Sequence, residues 1–301
     1  MNRLPPQAAP PVTRLTPAEQ LTFLLTNRLP RRWLTLFMGR FSRIEIPLLR
    51  ALSIGIWRLF VDDLRLEEAR KSEFTSLHDC FIRQLKPGAR PVYADPDVLT
   101  SPCDAVVGEF GSVSNGQVLQ AKGYPYAVAE LLGGPAYAGR LEGAHSVTLR
   151  LNASMYHRFH APCAGRVRGL RYISGDTWNV NPIALRRIER LYCRNERAVL
   201  TLEPESGDPA VTLVPVAAIL VASMRIHGLA EPLTLEYEGP NDIALDRKVA
   251  KGEELGYFEH GSTIILFASS AFDFDANLAR GTVIRMGRPL LRRRNLTENN
   301  E

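Results

Sequence analysis

The chain lacks most of the features that would place it in a class at a glance. Its four cysteines, Cys80, Cys103, Cys163 and Cys193, are scattered over 301 residues with no C-x-x-C pair. That fits reduced thiols in a cytoplasmic protein rather than a disulfide framework. No apolar run approaches the roughly 20 residues that a membrane-spanning helix needs. The longest candidates, 33–39 and 51–57, are short and lie between arginines. The opening stretch is proline-rich through Pro11 and has no apolar core, so no signal peptide is expected. G-x-S-x-G, P-loop and G-x-G-x-x-G patterns are absent, which removes the usual hydrolase and nucleotide-binding readings. Lysine is missing from the first 60 residues, although nine arginines are there.

Those arginines dominate the charge distribution. The chain carries a net +5, but residues 1–60 hold nine arginines against Glu19 and Glu45, a local +7, leaving the remainder at −2. A basic, apolar segment beside a near-neutral body points to an anionic surface as partner. At 45% hydrophobic and 23% charged residues, the composition suits a globular chain that buries a core without staples.

Residues 1–14 read as a disordered leader. Thr16-Pro17-Ala18-Glu19 is a helix start, with Thr at the N-cap, Pro at the first position and Glu at N3. Leu21, Leu24 and Leu25 follow at helical spacing. Pro30 and Pro47 punctuate two further helices, near 31–42 and 47–61, that mix arginine with Trp33, Leu36, Phe37, Leu48, Leu52, Ile56, Leu59 and Phe60. This is the pattern of helices lying in a membrane interface, with arginine near lipid phosphates. The plainer alternative is a helical subdomain packed on the core. One more helix is expected near 75–86, ended by Pro87-Gly88. Beyond residue 90, β-branched runs at 146–151, 198–202, 211–222 and 263–267 predict antiparallel strands. The expected fold is α+β: a leader (1–14), amphipathic helices in a membrane-association region (15–89) and a mostly antiparallel, β-rich catalytic domain (90–301).

Three stretches carry possible chemistry: Ser101-Pro102-Cys103-Asp104, Tyr156-His157-Arg158-Phe159-His160-Ala161-Pro162-Cys163 and Glu259-His260-Gly261-Ser262-Thr263. An Asp that orients a His that deprotonates a Ser is a recurring way to activate a weak nucleophile, whatever the chain order. Most proteins of this size contain all three residue types, and Gly-Ser-Thr alone is equally a turn before a strand. A zinc reading is also open, through His157, His160, Cys163 and Cys103. Against it, His-x-x-His on a strand sends the two rings to opposite faces.

Taken together, the motifs resemble those of the phosphatidylserine decarboxylase family, of the membrane-associated bacterial type. Residues 156–163 resemble its Tyr-His-Arg-x-His-x-Pro segment, and Ser101–Asp104 its x-Pro-x-Asp-Gly. Leu119-Gln120-Ala121-Lys122-Gly123 matches its Gln-x-Lys-Gly run, and Arg194-Asn195-Glu196-Arg197 its Arg-Asn-Glu-Arg run. Gly256-Tyr257-Phe258-Glu259-His260-Gly261-Ser262-Thr263 resembles its processing site, Gly-x-Phe-x-Leu-Gly-Ser-Thr. The similarity covers roughly 30–290, with the motifs in family order.

The resemblance implies that Ser262 attacks the carbonyl of Gly261, with His160 as base and Asp104 holding its tautomer. The chain then separates into 1–261 and 262–301, held together as a heterodimer, and Ser262 becomes a covalent pyruvoyl group. No metal or pyridoxal phosphate is implied. The pyruvoyl carbonyl would bind phosphatidylserine as a Schiff base and act as electron sink, with His157 as the acid, giving phosphatidylethanolamine and CO2. The resemblance also implies a homodimer of processed units, peripheral on the cytoplasmic face of the bacterial cell membrane, with no nucleic acid partner. The chain departs from the family pattern at Ala105 (usually Gly), His260 (usually Leu) and Met155 (commonly an acid). Ala105 and His260 motivate the alternative of a lipid-binding homologue that does not process itself.

Overall fold

Every residue from Ser262 to Ala268 is buried, so this apolar run has to lie inside a sheet covered on both faces. In the computed structural model it is β14 (Ser262–Ala268), the fifth strand of an eight-stranded antiparallel sheet. The structure describes residues 30–61, 64–121, 124–219, 223–259 and 262–294, with Thr16, Pro17, Glu19, Gln20 and Leu24. The leader, Leu21 and Leu25, Lys122-Gly123 and His260-Gly261 lie outside the described residues.

The sheet order is β12 (Asp242–Val249), β7 (Gly165–Ile173), β8 (Arg197–Pro204), β9 (Val211–Ala217), β14, β5 (His145–Leu151), β2 (Ala105–Ser112) and β16 (Val283–Ile284). Alternation splits β14 between two cores. Ile264 and Leu266 join Leu149, Leu200 and Phe258 on one face, while Ile265 and Phe267 join Val214, Leu131 and Tyr192 on the other. Three smaller sheets complete the β region: β11 (Leu233–Thr234), β10 (Ser223–Ile226), β13 (Glu254–Phe258) and β6 (Arg158–His160); β1 (Val98–Thr100), β17 (Pro289–Arg293) and β15 (Phe272–Phe274); and β3 (Gln117–Ala121) with β4 (Tyr124–Ala127). The fold is α+β, as expected, with all strand pairs antiparallel among the described residues.

Thr16 and Glu19 form the capping box read from the sequence: the Glu19 N–H donates to Thr16 Oγ1 (3.2 Å) and the Thr16 N–H to Glu19 Oε2 (3.0 Å). Two helices follow the proline punctuation, α1 (Arg31–Phe41) and α2 (Pro47–Phe60). Helix α1 is pinned at its start, where Arg31 grips Asp176 through two hydrogen bonds (3.1 and 2.6 Å) and stacks on Trp178. Its buried Thr35 meets Thr177. Trp33 and Phe37 on α1, and Leu48, Leu52, Ile56 and Leu59 on α2, stay exposed. The helix expected over 75–86 is shorter, α3 (Leu77–Phe81), capped by Ser76, whose hydroxyl accepts from the Asp79 N–H. The strand expected over 211–222 ends at Ala217, and Ser223 opens β10 in a different sheet.

One close approach ties this frame to the site. Gly256 lies on β13 between β10 and β6, and a Cβ there would sit 2.2 Å from the Arg225 carbonyl oxygen. Gly256→Ala therefore has to pry β13 from β10. The expected cost is about 1–3 kcal/mol of stability, read as a lower urea midpoint, together with displacement of the two histidines that flank β6.

Candidate active site

The site forms where strands converge on one end of the large sheet. Ser262 opens β14 and is hydrogen-bonded into the sheet on both sides, opposite Ala217 of β9 and Leu151 of β5. Its Oγ is buried and has no hydrogen-bond partner, and the same holds for the neighbouring Thr263 Oγ1. An unpaired buried hydroxyl costs on the order of 1–3 kcal/mol, so each asks for an explanation. Ser262 lies on the wall of an apolar cavity of about 570 Å³ roofed by α1, α2 and α3, with Leu52, Trp57 and Phe81 among its lining.

Residues 156–160 supply two histidines. The His157 Nδ1–H donates to the Met155 carbonyl (2.7 Å), which leaves the lone pair on Nε2. That nitrogen is buried and unpartnered. The ring packs on Phe81 at 4.0 Å between centroids. Burial first, and the nearby Arg83 second, push its pKa down to about 3. His160 donates from Nδ1 to the Gly252 carbonyl (2.9 Å), and its Nε2 accepts from the Tyr156 hydroxyl (3.1 Å). Burial lowers its pKa as well. Both rings are thus neutral with Nδ1 protonated.

Asp104 is fully buried but does not hold His160. Arg90 takes both of its carboxylate oxygens, Nε to Oδ1 at 2.8 Å and Nη2 to Oδ2 at 2.6 Å. Arg285 adds a contact at 2.9 Å and the Met286 N–H another at 2.9 Å. Burial pushes this carboxyl up, yet the two guanidiniums and the N–H outweigh it and hold it below the usual range. The tautomer lock expected from Asp104 comes instead from the Gly252 carbonyl. The physical reason is charge: two arginines outcompete a neutral imidazole for a buried carboxylate.

Glu259, three residues before Ser262, carries a network that sequence reasoning did not find. Its carboxylate accepts from Arg43 (2.5 Å) at the α1–α2 corner and from the Ser223 hydroxyl, with His78 at 3.8 Å. Arg43 and Glu259 are 216 positions apart, so no local signal marks the pair. The Arg194–Arg197 run is a clamp. The Asn195 side-chain amide donates to the carbonyls of Trp178 and Ala217, the residue facing Ser262. Arg197 caps the carbonyls of Leu131, Cys193, Asn195 and Glu130. Both cysteines of the zinc alternative are buried, and burial raises Cys163 to about 12 and Cys103 well above the ordinary thiol range. Among the described residues no three potential metal ligands converge.

A buried, unpaired serine at a strand start, with two neutral buried histidines in the 156–160 segment of a neighbouring sheet, defines a candidate nucleophile site. Comparison with known proteins supplies the family. The model of the phosphatidylserine decarboxylase family matches residues 77–292. A phosphatidylserine decarboxylase proenzyme of Vibrio cholerae is 36% identical over 276 residues, covering 87% of this chain and 94% of the relative. Those of Vibrio parahaemolyticus (34% over 274 residues; 87% and 94%) and Chromobacterium violaceum (36% over 282 residues; 90% and 98%) are similar. The chain belongs to the phosphatidylserine decarboxylase family and is an enzyme of the decarboxylase class.

The histidines make acid sensitivity predictable. Folded His157 and His160 resist protonation, while an unfolded chain protonates them below about 6.5. Their contribution is therefore complete above that pH and is lost as pH falls from about 6.5 toward 3. Urea unfolding followed from pH 7 to pH 4 is expected to show falling stability. The fall should be shallower in His157→Gln; identical slopes would refute the assignment.

Proposed function

We propose that this chain is a self-processing proenzyme that converts phosphatidylserine to phosphatidylethanolamine and CO2. The observation that carries the reading is the buried, unpartnered Ser262 hydroxyl on the wall of an apolar cavity. In the processing step, Ser262 Oγ bonds the Gly261 carbonyl carbon and the 261–262 C–N bond breaks, giving an ester and a free amine. The ester leaves by β-elimination, and one water then releases ammonia, leaving a pyruvoyl group at residue 262.

His160 is the base for Ser262, its Nε2 lone pair kept by the Nδ1–H bond to Gly252. The Tyr156 hydroxyl on that nitrogen has to yield first. Asp104 acts on His160 through space, favouring the imidazolium that forms when the proton arrives. The pyruvoyl group supplies an electron sink, binding the lipid amine as a Schiff base and taking up the electron pair as CO2 leaves. His157, beside Phe81 of the cavity, moves the proton that replaces the carboxylate. Relatives named as proenzymes support the processing step. The wild-type chain is expected as two pieces, 1–261 and 262–301, the shorter with a blocked N-terminus, associated as a heterodimer. Intact mass of Ser262→Ala should give one uncut chain; an uncut wild type that releases no CO2 would defeat the proposal.

The apolar side chains of α1 and α2 support docking on the anionic cytoplasmic leaflet. Leu48, Leu52 and Ile56 repeat every four residues along one exposed stripe of α2, and arginines flank it. No helix among the described residues is long and apolar enough to cross a membrane. A homodimer rests on the family resemblance. Leu48→Asp with Leu59→Asp, both exposed and outside the cavity lining, should abolish cosedimentation with phosphatidylserine-containing vesicles while leaving self-processing intact. Undiminished binding would move the docking surface elsewhere.

A further inference from the structure

Arg150 is the only charged residue among those described that line the cavity containing Ser262. It pairs in the sheet with Thr263, one step from the Leu151–Ser262 pair. Strand alternation sends Arg150 and Ser262 to opposite faces of the sheet. Both still reach the cavity, because it lies over the ends of β5, β9 and β14. Arg150 is half-buried, and among the described residues its side chain has no hydrogen bond or carboxylate partner. It borders a second cavity of about 290 Å³ as well, where Arg280 is paired with Glu109 (2.9 Å) and Arg186 with Glu19 (3.5 Å). A guanidinium left unpaired at the rim of an apolar chamber, beside arginines that already have carboxylate partners, is a receptor for an anion.

We infer that Arg150 binds the phosphodiester of the substrate and sets the headgroup register at Ser262, an inference that rests on the proposed function. The substrate brings two anionic groups, a carboxylate and a phosphodiester. Pairing Arg150 with the carboxylate would stabilise the ground state more than the transition state, because that charge disperses as CO2 departs. The phosphodiester keeps its charge throughout and lies three bonds from the carbon that loses CO2. A cation there adds binding without slowing the reaction. The remaining lining is neutral, with Ser53, Asn152, Asn179 and Asn181 as its polar members besides Ser262, so the carboxylate meets no opposing charge.

The test uses processed wild type, Arg150→Ala and Arg150→Gln with short-chain phosphatidylserine, and phosphatidylethanolamine of the same chain length as inhibitor. The product carries the phosphodiester but no carboxylate. Removing the charge should raise KM about 10-fold or more with kcat little changed, and should weaken inhibition by phosphatidylethanolamine by a similar factor. Binding of phosphatidylethanolamine to uncut Ser262→Ala, with and without Arg150→Gln, gives the same readout independent of processing. Unchanged KM and unchanged product binding overturn the inference. A raised KM with unchanged product inhibition also overturns it, since Arg150 would then read the carboxylate. A wild type that neither cuts nor releases CO2 defeats the proposed function instead, so the two failures are distinct.

Discussion

Ser262 starts a strand that is paired on both sides, and the rest of the site depends on that constraint. Its neighbours Leu151 and Ala217 fix its backbone from either edge, and Asn195 fixes Ala217 in turn. A chain opened just before residue 262 would therefore keep its new end in place, because β14 shares full ladders with β5 and β9. The Asp104 cluster adds a second anchor across the same point. It joins Arg90 and Asp104 from the long piece to Arg285 and the Met286 N–H from the short one. One partner missing from such a buried cluster would leave charge unpaired, which costs far more than a surface ion pair gains.

The arginine-rich start of the chain packs one surface on the body and leaves another exposed. Arg31 and Thr35 pack α1 onto the body, and Arg43 reaches Glu259 beside the junction. That is the helical subdomain on a core. The opposite surfaces of α1 and α2, with Trp33, Phe37, Leu48 and Leu59 exposed, remain without apolar cover. The inner side of α2, through Trp57, roofs the cavity. Helix α2 is thus apolar both toward the cavity and along its exposed stripe.

Local signals carried much of this. Pro30 and Pro47 mark helix starts because a ring nitrogen has no N–H to leave unpaired there, and the β-branched runs became strands of the large sheet. Thr16 and Glu19 needed only three residues of context. What stayed illegible depends on partners far along the chain. Asp104 reads as a histidine's companion until Arg90 and Arg285 are folded beside it. Glu259 reads as an ordinary exposed acid until Arg43 and Ser223 arrive from either side. The tautomer of His160 is set by a backbone carbonyl, which every residue carries and no motif can flag.

The two histidines show how alternation separates roles that sequence proximity would merge. They are three residues apart, so a strand turns them to opposite faces. Phe258, at the end of β13 nearest the junction, donates its N–H to the His157 carbonyl, whereas His160 faces Glu254 at the far end of that strand. The backbone register thus sets His157 against Phe81 of the cavity wall and His160 at the other end, among Gly252 and Tyr156. Burial keeps both neutral, but it leaves them differently equipped. The Nε2 of His157 is buried and bare, and its ring packs on Phe81, which lines the cavity. The Nε2 of His160 carries the Tyr156 hydroxyl. A nitrogen whose lone pair already accepts a hydrogen bond has to lose that partner before it can take a proton, whereas a bare one does not.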